Sequence, residues 1–481
     1  MTEDRPTYAV VGAGVAGLAA ARLLAGLEAV SEGATGSRGA RVVLIEASDR
    51  PGGKVRTGEV AGVPVELGPD QFLRRDPSAE RLARHLGLGD RLRAPAGGTA
   101  GIYARGELRR LPAGLVLGVP TDLEALAASG IVSREGLAAI ERGVGRAAAY
   151  SAGELGLGDE PGAEEQAAGE LLRPQLGDEV VDYLVDPLLG GINAGRVDSL
   201  SLAVTAPGVA RALLGERHVL SALGALPPPT ANGGPVFYGL EGGLGDLVAA
   251  AAGELQAAGV ELWLGTAARS LAGGPGGYLL ETSGGTLACE GVVLAPPAGQ
   301  TARLLQELAP AAARLLGDVV YADVSLVTFA FEEGALVLPE GWTGLLVPAR
   351  EGRLMTAATF SSRKWPWMRR PGVELLRVSA GRFGDERASR LGDEELAEVL
   401  LAELRQVSGS SAPLLDRLVT RWRASFPQYR PGHRAGIARA RQALPPGVAL
   451  AGAALGGIGI PACISSGERA AAEVLAATRP A

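Results

Sequence analysis

The sequence predicts an α/β fold, and the main grounds are two glycine-rich turns, one near each end of the chain. Near the start, a β-prone run is followed by Gly12, Gly14 and Gly17 and then by an Ala/Leu-rich stretch of high helix propensity. Near the end, a strand-like run at 448–453 is followed by a second glycine turn at 456–461 and another helix. Two such turns at opposite ends predict one α/β unit assembled from distant parts of the chain.

The first turn has the pattern of a dinucleotide-binding motif. Gly12 permits the tight turn, Gly14 lets the backbone approach a pyrophosphate, and Gly17 lets the helix pack closely on the strand. The first N–H groups of the helix and its dipole would then hold the phosphate charge. The predicted phosphate-binding residues are therefore Gly12, Ala13, Gly14, Val15, Ala16 and Gly17.

The second predicted strand, 41–46, ends in Glu46, whose carboxylate is placed to accept hydrogen bonds from ribose hydroxyls. This acid comes later than the usual spacing of about 20 residues, because residues 26–40 add a Gly/Ser/Ala-rich segment that we interpret as a surface loop. Adjacent glycines then follow in the segment Arg50–Thr57 and bring Gly53 and Lys54 towards the same ligand. This extension is typical of FAD sites rather than NAD sites.

Composition limits the remaining classes of protein. The 481 residues allow two or three domains, and 46 basic against 53 acidic residues give a net charge of −7, which gives no reason to expect nucleic acid as a partner. The chain has 47 % hydrophobic residues but no uncharged apolar run of about 18 residues. We expect a soluble cytoplasmic protein. Cys289 and Cys463 imply no disulfide framework, and three histidines without ligand spacing imply no metal site.

The first half of the chain shows a change of pattern. Residues 60–67 predict two short strands that lead into a rigid Gly68-Pro69 turn facing the cofactor, and 78–93 predict an amphipathic helix. After a predicted hairpin at 102–111, the pattern becomes helical from 121 to 214. Within that region, Asp186–Gly195 is too rich in glycine for a helix interior and too apolar for an exposed loop. It predicts a buried loop that contacts a ligand or another domain.

The second half of the chain predicts a return to strands. A stiff connector at 227–229 and a glycine turn at 237–246 precede an Ala-rich helix. The elements predicted after it are two strands that complete the dinucleotide unit (260–264 and 291–295), an antiparallel sheet (319–331, 343–348, 354–360 and 375–380), a helix at 393–406 and a terminal helix at 466–477.

With both ends in view, the chain resembles the flavin-dependent porphyrinogen oxidases, which belong to the amine-oxidase-like flavoproteins. Beyond the general flavin motifs, the resemblance is carried by the segments 66–69, 190–195, 426–429, 452–460 and 463–467. It covers nearly the whole chain. One departure is Asn193, which stands where the family has an aromatic residue in its glycine loop.

The resemblance implies a discontinuous fold and a set of cofactor contacts. The FAD-binding domain would comprise 1–95, 232–300 and 413–481, the substrate-binding domain 96–120 and 301–412, and an inserted helical domain 121–231. FAD would bind without a covalent link. Its contacts, carried over position by position, would be Glu46, Ala47, Lys54, Gly68, Pro69, Asp70, Gln71, Ala268, Ile458, Gly459 and Ile460.

The resemblance further implies a six-electron oxidation of a porphyrinogen, with dioxygen as acceptor, hydrogen peroxide as product and no obligatory acid or base. We choose coproporphyrinogen III over protoporphyrinogen IX because the segments 54–66 and 111–120 look like the high-GC Gram-positive branch of the family. A weak contact with a membrane surface and transfer of product to a ferrochelatase are further expectations.

Substrate carboxylates should be bound by arginine or lysine, and Arg105, Arg109, Arg363 and Lys364 are candidates, although each could equally be a solvated surface charge. Two other functions stay open. One is an amine oxidase or carotenoid desaturase of the same fold, and the other is a carrier protein that keeps the fold without flavin.

Overall fold

The structure is a computed structural model, and it describes residues 5–29, 39–144, 149–157, 165–216, 218–224, 234–274 and 276–478. The predicted connector at 227–229 lies outside these ranges, as does most of the predicted surface loop at 26–40.

A five-stranded parallel sheet forms the centre of the first part of the fold. In spatial order its strands are Glu261–Trp263, Arg41–Ile45, Thr7–Val11, Gly291–Leu294 and Val448–Leu450. Most of their residues are buried, as expected for a parallel sheet covered on both faces. The sheet therefore collects strands from the beginning, the middle and the end of the chain.

Two helices pack closely on one face of this sheet. The helix Val15–Leu24 follows the first glycine turn, and the terminal helix Ile460–Thr478 crosses it at Gly467. A Cβ atom at Gly467 would lie 2.0 Å from the carbonyl oxygen of Ala16, so the two backbones nearly touch. The terminal helix begins six residues before the predicted start at 466, since the turn 456–459 already leads into it.

A seven-stranded sheet forms the centre of the second part. Its order is Leu414–Pro427, Tyr321–Glu332, Val373–Ala380, Met355–Thr359, Trp342–Leu346, Thr99–Ala104 and Glu107–Arg110. The prediction of an antiparallel sheet is correct except at one pair, since Trp342–Leu346 runs parallel to Thr99–Ala104. The helix Asp393–Ser408 packs its leucines into the hydrophobic core on one face of this sheet.

The region between residues 121 and 224 is mostly helical where it is described. Its helices are Leu123–Ser129, Arg134–Val144, Ala168–Leu176, Asp178–Val180, Val181–Gly190, Leu202–Thr205, Pro207–Leu213 and Val219–Gly224. The expectation that residues 186–190 are a loop is wrong, because they end a π-type helix, Val181–Gly190. Burial of Leu184, Val185 and Leu189 in the core favours the helix despite the low propensity of proline and glycine.

Smaller elements connect these parts. The hairpin Thr57–Val60 and Val63–Glu66, a three-stranded sheet (Phe72–Leu73, Phe237–Leu240, Leu92–Arg93), a second three-stranded sheet (Ala268–Gly274, Gly277–Thr282, Gly285–Cys289) and the pair Leu115–Val116 and Val119–Pro120 surround the parallel sheet and the helical region. The predicted helix at 78–93 is shorter than expected, Ser78–His85, because Gly87 has a positive φ of 76° and Leu92–Arg93 form a strand.

The remaining helices are short apart from Gly245–Ala257. They are the α-helices Ala298–Leu304, Pro310–Gly317, Ser361–Lys364, Arg387–Arg390 and His433–Gln442, and the 3₁₀ turns Gly89–Arg91, Ala349–Glu351, Pro366–Met368 and Ala453–Leu455. Among the helices of the described ranges, none has both the length and the apolar character needed to cross a membrane.

The close crossing at Gly467 gives a test of the fold. Gly467→Ala should lower the free energy of unfolding by about 1 to 3 kcal/mol, because its methyl group meets the backbone of Ala16. Gly253→Ala is the matched control: it lies in the helix Gly245–Ala257 with no atom within 4 Å of the added Cβ, and should stabilise by up to about 1 kcal/mol. Thermal unfolding of both variants measures the difference. Equal stability of the two would contradict the packing described here.

Candidate functional site

The first glycine turn has the geometry that a dinucleotide phosphate requires. Gly12 has a φ of 92° and donates its N–H to the carbonyl of Ile45 over 2.7 Å. A Cβ atom at Gly17 would lie 1.8 Å from the carbonyl oxygen of Gly12, so helix and strand leave no room for a side chain there. A Cβ atom at Gly14 would meet no protein atom within 4 Å. The space in front of Gly14 is therefore open to a ligand.

Glu46 lies beside this turn at the end of the second strand. Its Oε2 accepts the Ala13 N–H over 2.8 Å, and its Oε1 accepts the N–H and the hydroxyl of Ser48 over 2.9 and 2.8 Å. The carboxylate is half-buried, so it retains access to solvent and to a ligand. Thr266, two residues before Ala268, donates its N–H to the Glu46 carbonyl, and this places the predicted contacts Ala47 and Ala268 near the same edge.

The Arg50–Thr57 segment passes directly over the turn. Gly52 donates its N–H to the carbonyl of Ala13 over 2.8 Å, and Gly53 lies close to the Cα of Gly14. Lys54 is half-buried, and removal from water lowers the pKa of its ammonium. Within the described residues its side chain makes no hydrogen bond or ion pair, although Cys463 lies nearby. A partly buried cation without a partner beside a phosphate-binding turn is suited to an anionic ligand.

The turn Gly68–Gln71 packs against Lys54. A Cβ atom at Gly68 would lie 2.0 Å from the Lys54 carbonyl oxygen, so this position requires glycine. Gln71 has a buried Oε1 atom without a hydrogen-bond partner in the described structure. A buried acceptor of this kind needs a donor, and a ligand would supply one.

Asp70 is directed away from the phosphate-binding turn and into a buried ionic cluster. Its carboxylate accepts hydrogen bonds from Lys364 over 2.8 Å and from the Trp365 indole over 3.1 Å, and it pairs with Arg377 over 3.2 Å. Burial alone would raise the pKa of Asp70, but Arg377 and Lys364 reverse this and hold it well below its usual range. Any contact of Asp70 with the cofactor would therefore come from its backbone.

Glu66 is the second acid of this buried region. It accepts the Leu244 N–H over 2.5 Å and the Thr57 hydroxyl over 3.3 Å. Burial raises the pKa of its carboxyl to about 8, and the Leu244 N–H only partly offsets this effect. A cavity of about 10 Å³, room for a single water, separates it from Asp70 and Arg377.

The second glycine turn lies on the same side of the parallel sheet. Gly452 donates its N–H to Ser466, the Tyr429 hydroxyl donates to the Ala453 carbonyl over 2.5 Å, and His433 bonds the Ala454 carbonyl over 2.7 Å. Burial raises the pKa of the Cys463 thiol to about 11, beside the Lys54 ammonium. The start of the terminal helix, with Ile458, Gly459 and Ile460, is thus brought to Lys54.

The structure does not leave the predicted substrate cations free. Arg363 pairs with the buried Glu374, Lys364 with Asp70, Arg109 with Glu107, and Arg105 with Glu179. Lys364 and Arg363 are mostly buried, so the alternative interpretation as solvated charges is also wrong for them. The acids that pair with Lys364 and Arg105 lie far away in the sequence, which is why spacing did not reveal them.

Sequence reasoning missed Arg377, Trp365 and Trp422. Arg377 donates to the Gly68 carbonyl over 2.9 Å, and the Trp422 indole donates to the Leu67 carbonyl over 2.5 Å. Two strands of the seven-stranded sheet therefore hydrogen-bond the backbone at the start of the turn Gly68–Gln71. One signal was available: Arg377 is a lone cation within the largely apolar strand Val373–Ala380. A buried cation in such a strand usually has a partner.

These features define a dinucleotide-binding flavoprotein. The open space at Gly14, the unpartnered ammonium of Lys54 and the orphaned Oε1 of Gln71 fit a phosphate and a polar ring edge of FAD. The structure brings the predicted residues of both glycine turns, Glu46 and Gly68–Gln71 together around one region. Which of them contact the cofactor stays a prediction.

Comparison with known proteins gives the same class. The family model described as flavin containing amine oxidoreductase matches residues 15–475. The coproporphyrinogen III oxidase of Mycobacterium bovis is 36 % identical over 98 % of each chain, and that of Bacillus subtilis is 32 % identical over 99 % of each. A crystal structure from Exiguobacterium sp. 255-15, provisionally assigned as a protoporphyrinogen oxidase, superposes with a TM-score of 0.82 at 29 % identity, covering 98 % of both chains.

The chain therefore belongs to the flavin containing amine oxidoreductase family. It is an oxidoreductase with FAD as its cofactor, and its resemblance to the porphyrinogen oxidases is confirmed. The same fold occurs in more distant flavoenzymes such as a putrescine oxidase, with a TM-score of 0.69 and 18 % identity over 98 % of this chain and 99 % of the other.

Gly14→Val tests the phosphate-binding turn. The new side chain meets open space in the protein, so the flavin-free variant should unfold at the same temperature as the flavin-free wild type. Its bound flavin should fall at least tenfold because the pyrophosphate loses its place. Flavin absorbance per chain measures occupancy, and acid precipitation should release the wild-type flavin into the supernatant. Gly253→Val, an exposed helical position, is the control for a general effect of valine. Full flavin content in Gly14→Val would place the cofactor elsewhere.

Glu66→Gln tests the buried carboxyl. The folded-state pKa lies above the unfolded value, so the protonated acid suits the fold, and stability is lost as pH rises from about 4.5 to about 8. Between pH 6 and pH 9 the wild type should lose about 2 to 3 kcal/mol at this site, and Glu66→Gln should not. Urea unfolding at both pH values measures the slope. Glu59→Gln, on the exposed side of the same hairpin, should keep the wild-type slope, and identical slopes for all three proteins would refute the assignment.

Proposed function

We propose that this protein is an FAD-dependent coproporphyrinogen III oxidase that forms coproporphyrin III in haem biosynthesis. The choice of substrate rests on the higher sequence identity to coproporphyrinogen III oxidases than to a protoporphyrinogen oxidase. Identity is 36 % to the coproporphyrinogen III oxidase of Mycobacterium bovis but 24 % to the protoporphyrinogen oxidase 2 of Arabidopsis thaliana, each over 96 % or more of this chain. Protoporphyrinogen IX is the second candidate substrate, and another substrate of an amine-oxidase-like flavoenzyme is the third.

The chain's own residues would bind and orient rather than transfer protons. FAD, when bound, would accept two electrons from the substrate in each of three rounds. Dioxygen would reoxidise it each time and be reduced to hydrogen peroxide. Lys54 and the start of the helix Val15–Leu24 would hold its phosphates, while Glu46 would hold its ribose. The Asp70 cluster fixes the turn Gly68–Gln71 where the ring system would lie. We assign no catalytic acid or base.

The proposal includes the domain division and the cellular setting. We place the FAD-binding domain at 1–95, 232–300 and 413–481, the substrate-binding domain at 96–120 and 301–412, and the helical domain at 121–231. The parallel sheet collects strands from all three segments of the first, which supports the division, whereas the strand Leu414–Pro427 at the start of the third segment belongs to the seven-stranded sheet. A cytoplasmic location, a weak contact with a membrane surface and transfer of product to a ferrochelatase complete the proposal.

The test is the ratio of kcat/KM for the two porphyrinogens, measured by the rise of porphyrin fluorescence in air. Coproporphyrinogen III should be preferred, with about three peroxide molecules formed per porphyrin. The flavin-free Gly14→Val protein corrects for spontaneous oxidation in air. A tenfold preference for protoporphyrinogen IX, about 1.4 kcal/mol of transition-state binding, would reverse the choice of substrate. Oxidation of neither porphyrinogen, with peroxide formed from putrescine, would replace it with amine oxidation.

A further inference from the structure

Arg382 carries an unpaired charge at a half-buried position. It lies in the turn after the strand Val373–Ala380, and burial lowers the pKa of its guanidinium. Within the described residues it makes no hydrogen bond or ion pair through its side chain, unlike Arg377 in the strand before it. Partial removal of a guanidinium from water without a salt-bridge partner costs free energy. Binding of an anionic ligand to the guanidinium would offset that cost.

A backbone contact places Arg382 beside the glycine loop, which we define as Gly190–Gly195. The N–H of Phe383 donates to the carbonyl of Ala194 over 2.7 Å. Arg196 directly follows this loop, is exposed, and has no ion pair in the described part of the chain. Arg382 and Arg196 thus lie one and two residues from the two ends of this hydrogen bond, and neither has a salt-bridge partner in the described part of the chain. The charge of Arg196 lowers the pKa of Arg382 further.

The acids that face Arg382 and Arg196 make no salt bridge with either arginine in the described ranges. Asp186 acts on both arginines at longer range, but its Oδ1 accepts the Val197 N–H over 3.0 Å, and burial raises its pKa. Asp385 is held by Arg387 through bonds of 2.7 and 2.9 Å. Asp198, which Arg196 also faces, is held by two bonds from Arg173. Neither arginine is bonded to one of these acids in the described structure, so both guanidinium groups can bind an anionic ligand.

The glycine loop also connects to the proposed flavin site. Gln428 donates its amide to the Asn193 carbonyl over 3.0 Å, and the neighbouring Tyr429 bonds Ala453 in the second glycine turn. Within this segment Ile192 is 54 % exposed, although most large apolar side chains of this region are buried. An apolar side chain next to two cations suits a ligand that carries carboxylates on an apolar ring.

We propose that Arg382, assisted by Arg196, binds a carboxylate of the tetrapyrrole substrate while Ile192 contacts its ring. This inference rests on the proposed function and deepens it: the site would favour coproporphyrinogen, which has four carboxylates, over protoporphyrinogen, which has two. It also supplies the carboxylate partner that Arg105, Arg109, Arg363 and Lys364 do not supply.

The test compares Arg382→Gln, Arg196→Gln and the double variant with Arg390→Gln, an exposed arginine of the same segment that is paired with Glu386. Arg382→Gln should raise KM for coproporphyrinogen III about tenfold, the size of one charge-assisted hydrogen bond, and change kcat less than twofold. KM for protoporphyrinogen IX should change less. Flavin content should stay at the wild-type value, and Arg382→Lys should recover part of the loss.

Several outcomes would overturn the site. Unchanged KM in the double variant would exclude it, and an equal loss for both substrates together with loss of flavin would show a structural role. If Arg382→Gln does not fold, the variant at the exposed Arg196 tests the site instead. Arg196→Gln should raise KM for coproporphyrinogen III about threefold, and Arg390→Gln should leave it unchanged. Wild-type oxidation of neither porphyrinogen refutes the proposed function itself, whereas wild-type activity with unaffected variants refutes this site alone.

Discussion

The buried ionic cluster around Asp70 is the interaction on which the geometry of the candidate site depends. One carboxylate on the turn Gly68–Gln71 is held by Lys364, Trp365 and Arg377, all from the part of the chain that contains the seven-stranded sheet. A buried carboxylate that lost these partners would be an uncompensated charge, at a cost of about 3 to 5 kcal/mol. These contacts therefore fix the position of the turn relative to the seven-stranded sheet.

Local features of the site could be predicted from the sequence because their causes are local. The tight turn at Gly12, the close approach at Gly17 and the acid at the end of the second strand each depend on residues within one βαβ unit, and all lie where the pattern predicts. The short strands and the helix after residue 393 were likewise evident from alternation and periodicity. Whether Glu46 and the other nominated residues touch FAD stays a prediction.

The features that could not be predicted depend on residues far apart in the sequence. Lys364 and Asp70 are 294 positions apart, and neither position alone indicates the other as its partner. The helix Val181–Gly190 was missed for a related reason, because its proline and glycines argue against a helix until the burial of Leu184 and Leu189 is known. Propensity is a weak prior, and here tertiary packing overrides it.

The order of strands in the parallel sheet has a consequence for synthesis on the ribosome. The central strand, Thr7–Val11, has Arg41–Ile45 and Gly291–Leu294 as neighbours, and the edge strand Val448–Leu450 comes almost last. A nascent chain thus carries an apolar strand without its full set of neighbours until nearly all residues have emerged, which takes tens of seconds at about 5 to 20 residues per second. Contacts of such long sequence separation also slow folding. The architecture that joins both glycine turns in one site therefore leaves apolar strand surface uncovered until synthesis is nearly complete.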